Sequence, residues 1–176
     1  MKGAREHVDE GLMGMGYDPP MGINAESLIA AWDEGHWEFT LAFEGLSDED
    51  LWKRAHPSLL SVGELAGHVA YTEALLVSDG VLRSPLNDKK FAYYSDQIGE
   101  PVVLDLTVAQ VLEEVKKIHE AAKVRVEQVE DYDEKVPYRN DWTWGMCLQY
   151  RVFHVAYHCG QAYSVRHLMG HTPTDN

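Results

Sequence analysis

The run of residues 141–170 constrains the fold most, because its apolar residues recur at helical spacing over about eight turns. His154 and His158 fall on one face of this predicted helix, about 40° apart around the axis and about 6 Å apart along it. An unpaired polar group costs free energy when it is buried, so both imidazoles need a partner, and one metal ion would satisfy both. Pairs of histidines at this spacing also arise by chance, so two packed histidines remain the alternative. The rest of the same face is largely apolar and holds Cys147, Tyr150, Arg151, Val155, Gln161, Ala162 and Val165.

A third histidine, His68, lies on the inner face of another predicted helix. Ser61 and Glu64 form an S-x-x-E capping box, which predicts a helix that begins at about Val62. We expect Glu64 to serve as this cap, and the alternative is that it supports a metal ligand from behind. The apolar face that includes His68 is made of Leu65, Val69, Thr72, Leu75 and Leu76.

Two further apolar stripes predict two more long helices. Asn24 is a suitable N-cap for the first, and Thr107 with Gln110 forms a capping box for the other. His36 lies beside the first stripe and is expected to be a packed histidine, whereas His119 borders the other and its role is ambiguous. The first stripe consists of Leu28, Trp32, Gly35, Phe39, Phe43 and Leu46; the other consists of Val108, Val111, Leu112, Val115, Ile118, Ala122, Val126 and Val129.

These four stripes, with no alternating strand pattern, predict an all-α four-helix bundle. A short helix from Ser47 to about Arg54 is expected between the first two long helices. The long helices are joined by connections of roughly fifteen, thirty and twelve residues, and the long middle one is unusual for a compact domain. That crossover, over about 78–106, argues against up-down-up-down order and allows the second and third helices to run parallel.

The length of 176 residues is typical of one domain with a substantial core. We expect residues 1–23 to be a poorly ordered or late-packing arm, 24–170 to form the bundle, and 171–176 to be a short tail. The formal net charge of −14 argues against binding to nucleic acid or to anionic membranes. No run approaches the roughly 20 apolar residues of a membrane span.

The compartment is predicted from the N-terminus and the cysteines. No apolar segment of a signal peptide is visible at the N-terminus. Cys147 and Cys159 would lie about 18 Å apart along one helix, too far for an intramolecular disulfide. A reducing cytoplasm is the expected location.

Taken in order, the motifs resemble those of the DinB-like superfamily. The resemblance rests on residues 45–49, 61–68, 154–161 and 166–170, and it spans about 24–170. It implies an up-down-down-up bundle with a three-histidine metal site, in which His68, His154 and His158 match the ligands. The family form of the last motif is close to H-x-x-x-H-R-G-Q, and Cys159 here replaces the arginine. Several members of the superfamily resemble transferases or isomerases that use low-molecular-weight thiols.

Three histidines would leave a coordination position open, an arrangement typical of catalytic metal sites. Zinc or nickel is the expected divalent ion, and iron or cobalt would also fit imidazole ligands. Arg151 is a candidate to bind an anionic substrate, or alternatively to pair with an acid. Gln161 is a candidate to orient a ligand or its water, or alternatively to cap a helix contact.

The sequence therefore predicts a metal-dependent enzyme that acts on a small molecule, with thiol-dependent S-transfer as the first hypothesis. A metal-dependent hydrolase and a non-catalytic metal-binding or stress-response protein are the alternatives. A Ser-His-Asp or Cys-His hydrolase is disfavoured, because Cys159 and His158 are adjacent and would point about 100° apart on a helix. A homodimer is also expected, from the resemblance and from exposure of Trp142 and Trp144.

Overall fold

A computed structural model describes residues 24–77, 82–93, 98–139 and 141–172, and these residues form helices joined by turns. The expected N-terminal arm and most of the expected C-terminal tail lie outside the described residues. The helices are α1 (Ala25–Leu41), α2 (Asp48–Leu51), α3 (Val62–Ala74), α4 (Val108–Glu127) and α5 (Trp144–Leu168), with a 3-10 turn at Lys89–Phe91. The described residues contain an isolated β-bridge between Lys135 and Thr143 but no strand. The prediction of four long helices and one short helix is confirmed.

The starts predicted for α1, α3 and α4 are confirmed by their caps. The Asn24 side chain accepts a hydrogen bond from the backbone N–H of Ser27 at the start of α1. Both predicted capping boxes form, with Ser61 and Glu64 at α3 and Thr107 and Gln110 at α4. Each satisfies backbone N–H groups that the first turn of a helix otherwise leaves without a partner.

The helix ends differ from the sequence patterns. The helix α1 ends at Leu41 although its apolar stripe continues to Leu46, because the backbone changes to i+3 turns such as Phe43 N–H to the Thr40 carbonyl, 3.0 Å. Phe43 and Leu46 remain buried, so these turn residues pack on the core and extend the stripe beyond the helix. The helix α5 begins later than predicted, at Trp144, where Thr143 is the N-cap.

The helices run up, down, down and up, as the resemblance implied. Trp32 near the start of α1 donates a hydrogen bond to Glu73 near the end of α3, so these two helices are antiparallel. The helices α1 and α5 are parallel, because Gly35 faces Val155 while Arg166, further along α5, donates to the carbonyl groups that follow α1. The capping carboxylate at the start of α3 meets the chain just before α4, and Glu73 meets α4 itself, so α3 and α4 are also parallel.

The crossover between α3 and α4 covers residues 75–107 and positions one side of the candidate site. Phe91, in its 3-10 turn, is buried against Gly67 of α3. Tyr93 donates a hydrogen bond to Glu64, 3.2 Å, so the crossover packs on the bundle. None of the described helices is both long and apolar enough to cross a membrane.

Candidate metal centre

Three buried imidazoles meet between α3 and α5. His68 lies in the second turn of α3, and His154 and His158 lie one turn apart on the inner face of α5. The Nε2 atom of His154 is 3.2 Å from that of His68 and 3.1 Å from that of His158. The structure therefore brings together all three of the histidines that the sequence predicted.

The spacing of these nitrogens fits one metal ion. Tetrahedral zinc binds imidazole nitrogen at about 2.0–2.1 Å, so two such ligands lie about 3.3 Å apart. The observed separations of 3.1 and 3.2 Å are close to this value. The three ligand atoms lie within a region that a single divalent ion would span.

The other ring nitrogens fix the orientation of two of the imidazoles. The Nδ1 atom of His68 lies 2.8 Å from the carbonyl oxygen of Phe91, and Nδ1 of His158 lies 2.7 Å from Oε1 of Gln161. Both oxygens can only accept, so both Nδ1 atoms carry the proton and both Nε2 atoms of the neutral rings present a lone pair. Hydrogen bonds of this kind are the usual support of metal-binding histidines.

Burial favours the neutral form of all three histidines. It lowers the pKa of His68, and it lowers the pKa of His158 to about 4, with the charge of His68 also contributing. Burial, followed by the charges of His158, Arg151 and His68, lowers the pKa of His154 well below its usual range. Neutral imidazole is the form that binds metal, so the cluster is ready to act as a ligand set at neutral pH.

Arg151 lies one turn before His154 and is buried, 4% exposed. Its Nη2 atom donates to the hydroxyl of Tyr138 at 3.4 Å, and that hydroxyl lies 3.0 Å from the sulfur of Cys147. The Nε and Nη1 atoms of Arg151 have no hydrogen-bond partner in the described part of the chain. A buried cation with unpaired donors beside three neutral histidines is suited to bind an anion.

The side chain of Gln161 contacts the ring nitrogen of His158 that faces away from the cluster. While its Oε1 atom accepts from His158, its Nε2 atom donates to the hydroxyl of Tyr157 at 3.1 Å. These contacts support the hypothesis that Gln161 orients a ligand.

The other histidines among the described residues lie apart from this cluster. His56 and His167 are exposed, and His171 is 3.1 Å from Asp50. His36 and His119 are buried in a second cluster with Glu73. Glu64 serves as the α3 cap and also pairs with Arg54, which agrees with the role expected for it.

Sequence reasoning missed the carbonyl group of Phe91 and the second cluster. No local pattern marks the Phe91 carbonyl as a partner of His68, because the two residues meet only after the crossover packs. Glu73 did leave a signal, since it follows Leu65 and Val69 at steps of four and so lies on the buried face of α3. A carboxylate on such a face needs partners in the core.

The chain is thus a helical bundle with a buried three-imidazole cluster, which defines a class of candidate metal-binding proteins. Residues 28–170 match the family model described as mycothiol-S-transferase. The match covers most of the chain, so the chain belongs to the mycothiol S-transferase family, within the DinB-like superfamily that its motifs resemble.

A solved structure gives the same fold. The chain matches YfiT from Bacillus subtilis with a TM-score of 0.58 and 15% sequence identity, over 89% of this chain and 95% of that one. That protein is described as a probable metal-dependent hydrolase with an unusual four-helix bundle topology. At this identity the likeness establishes the bundle fold. No curated protein matches the chain.

Proposed function

We propose that this protein is a metal-dependent S-transferase that joins a low-molecular-weight thiol such as mycothiol to an electrophilic small molecule. The observation that carries the proposal is the convergence of three Nε2 atoms, at 3.1 and 3.2 Å, in a member of a family named for thiol transfer. His68, His154 and His158 would hold one divalent ion, with zinc or nickel expected and iron or cobalt compatible. Such an ion supplies a Lewis acid that lowers the pKa of a thiol, so that the thiolate is available at neutral pH.

The protein groups around the cluster hold the reactants. Arg151 is proposed to bind an anionic group of the thiol or of its partner, because its Nε and Nη1 atoms are buried and have no hydrogen-bond partner among the described residues. Gln161 is proposed to act through His158 by keeping its proton on Nδ1. In the reaction the thiol sulfur forms a bond to the electrophilic carbon, the thiol proton passes to solvent, and any leaving group departs with its electron pair.

A direct assay tests the proposal. Metal-loaded protein is incubated with an electrophile and, separately, with mycothiol, bacillithiol or glutathione, and adduct formation is followed by mass spectrometry. We expect conjugation that requires both metal and thiol, that is lost in His158→Ala, and that persists in the control His167→Ala, which changes an exposed histidine.

Other outcomes separate the alternatives. Metal-dependent hydrolysis without a thiol would overturn S-transfer in favour of a hydrolase that uses activated water. Metal binding without any turnover across the panel would leave a non-catalytic metal-binding protein.

We further propose that the protein acts in the cytoplasm as a homodimer. Both cysteines are free, which agrees with a reducing compartment.

One premise of the dimer prediction is wrong, because Trp144 is buried and packs under Arg125, 4.5 Å from the ring centre. The large exposed aromatic side chains of the described residues are Trp37, Phe153 and Tyr157, together with Tyr138. Sedimentation as a monomer at high concentration would contradict the dimer.

A further inference from the structure

A second cluster of metal-binding side chains lies in the core between α1, α3 and α4. His36, Glu73 and His119 each offer one ligand atom, and these atoms all lie within 4.8 Å of one another. All three residues are buried, and each comes from a different helix. The cluster shares no residue with the three-histidine site.

Glu73 is the centre of this cluster. Its Oε1 atom lies 2.7 Å from Nε2 of His36 and accepts a hydrogen bond from the Trp32 indole, 2.9 Å. Its Oε2 atom is buried, makes no hydrogen bond among the described residues and lies 3.4 Å from Nδ1 of His119, an ion pair when that ring is protonated. A carboxylate oxygen left in this way in a protein core is costly and calls for a cation or a donor.

His119 presents the complementary atom. Its Nε2 atom lies 2.8 Å from the carboxylate of Asp33, which Lys123 also contacts. Its Nδ1 atom faces Oε2 of Glu73 at 3.4 Å and likewise has no hydrogen bond in the described part of the chain. A histidine that binds a metal ion through one nitrogen usually donates from its other nitrogen to a carboxylate, as Nε2 of His119 is placed to do to Asp33.

The imidazole rings of His36 and His119 stack on each other. Their ring centroids lie 3.7 Å apart and their planes differ by 26°. A metal ion lies close to the plane of each imidazole that binds it, and planes this nearly parallel do not meet near the nitrogens. Binding through both rings therefore requires one of them to tilt out of the stack. The indole of Trp32, 4.6 Å from the His119 ring, is placed to report that movement.

We propose that His36, Glu73 and His119 form a second divalent-metal site, separate from the three-histidine cluster. Two imidazole nitrogens and a carboxylate are a ligand set that suits zinc or cobalt. The Asp33 carboxylate would hold the His119 ring in place, and the Trp32 indole would hold the Glu73 carboxylate. This proposal is independent of the S-transferase function.

The test is the number of ions bound by the full chain. Metal-free protein is titrated with Zn²⁺ and with Co²⁺, and the bound ion is counted after removal of excess. We expect two ions per chain in the wild type and one in the double variant His154→Ala/His158→Ala, which leaves the second cluster untouched. We expect Glu73→Gln to bind one ion and to keep the three-histidine site.

The double variant decides the result even if Glu73→Gln fails to fold. In the His154→Ala/His158→Ala background, Co²⁺ is expected to quench part of the tryptophan fluorescence. Adding Trp32→Phe is expected to abolish this quenching. Adding the control Trp37→Phe, which changes an exposed indole, is expected to leave it in place. If the folded double variant binds no ion, or if the wild type binds one ion and loses it only with the three-histidine site, the second site is overturned. The contact between His119 and Glu73 would then be an ion pair alone.

Discussion

At the scale of single residues, the absence of a side chain at Gly67 brings the crossover against α3. A Cβ atom at this position would overlap the ring of Phe91, and the carbonyl of Phe91 is the partner of His68. We expect Gly67→Ala to destabilise the protein by about 1–3 kcal/mol, as overpacking does. Gly67→Ala is also expected to weaken metal binding, because displacing the Phe91 ring would move the Phe91 carbonyl away from His68.

The matched control for this prediction is Gly160→Ala in α5. An added Cβ there meets nothing within 4 Å, and the position is exposed. Alanine is the better helix former, so a gain of about 0.5–1 kcal/mol is expected. Denaturant unfolding of both variants and a competition titration with a chelator provide the two measurements. Equal stability of Gly67→Ala and the wild type would contradict the close packing described.

The second prediction at this scale concerns Gln161. Gln161→Ala removes the acceptor for Nδ1 of His158 and is expected to lower metal affinity by about 10–100-fold, the usual effect of losing such a partner. Gln161→Glu keeps an acceptor and is expected to retain most of the affinity. Competition with a metallochromic chelator measures both. Unchanged affinity in the alanine variant would show that Gln161 does not orient the ligand.

At the scale of the helices, the start of α3 depends on one buried carboxylate. Glu64 caps the helix, pairs with Arg54, and accepts from the backbone N–H of Val102 at 2.9 Å. Burial alone would raise the pKa of Glu64, but the hydrogen bonds from Arg54 and from the backbone of Ser61 and Val102 outweigh it and lower the pKa.

This carboxylate predicts a dependence of stability on pH. Because the pKa of Glu64 is lower in the folded state, its contribution to stability is complete above the ordinary glutamate pKa of 4.5 and is lost as the pH falls through the folded pKa. Glu64→Gln is expected to cost about 3 kcal/mol at pH 7, since it leaves Arg54 buried without its partner. It should also flatten the loss of stability below about pH 4.5. Urea unfolding at a series of pH values checks this, and a variant with the slope of the wild type would contradict it.

The starts of α1, α3 and α4 were predictable because a cap depends on a few neighbouring residues. Ser61 with Glu64 shows this, since its two hydrogen bonds lie within one turn. The helix ends were less predictable, because Phe43 and Leu46 remain buried beyond the end of α1 and so imitate a continuing helix. Burial follows from packing, and a periodic pattern cannot separate a packed turn from another turn of helix.

At the scale of the whole molecule, the bundle and the three histidines were predictable in different ways. The helical phase of residues 154 and 158 placed them on one inner face, and the apolar face of α3 placed His68 inward. The resemblance then matched all three to metal ligands. The cluster around Glu73 was not predicted, because it depends on how three separate helices are placed side by side. The same is true of the surroundings of the buried Arg151, which donates a hydrogen bond to Tyr138 from the preceding loop.

The three-histidine site joins residues 86 positions apart in the chain, so metal binding and folding are coupled. A ligand that binds only the folded state stabilises it, by about 2.7 kcal/mol at a concentration of 100 times its Kd. We expect metal to raise the melting temperature of the wild type. In His154→Ala/His158→Ala the rise is expected to be smaller, and thermal unfolding with metal and with chelator measures the difference. An equal rise in both proteins would show that the stabilising ion binds elsewhere.

The parallel arrangement of α3 and α4 determines where the chain can accept deletions. The end of one helix and the start of the next lie at opposite ends of the bundle, so the chain between them must travel back along its length. On that return path the Phe91 carbonyl reaches His68 and sets which of its nitrogens faces the candidate metal. Surface connections are ordinarily where proteins accept deletions most easily. Here we expect the longest connection to tolerate shortening poorly. A shorter one would either prevent the parallel arrangement of α3 and α4 or remove the Phe91 carbonyl from His68.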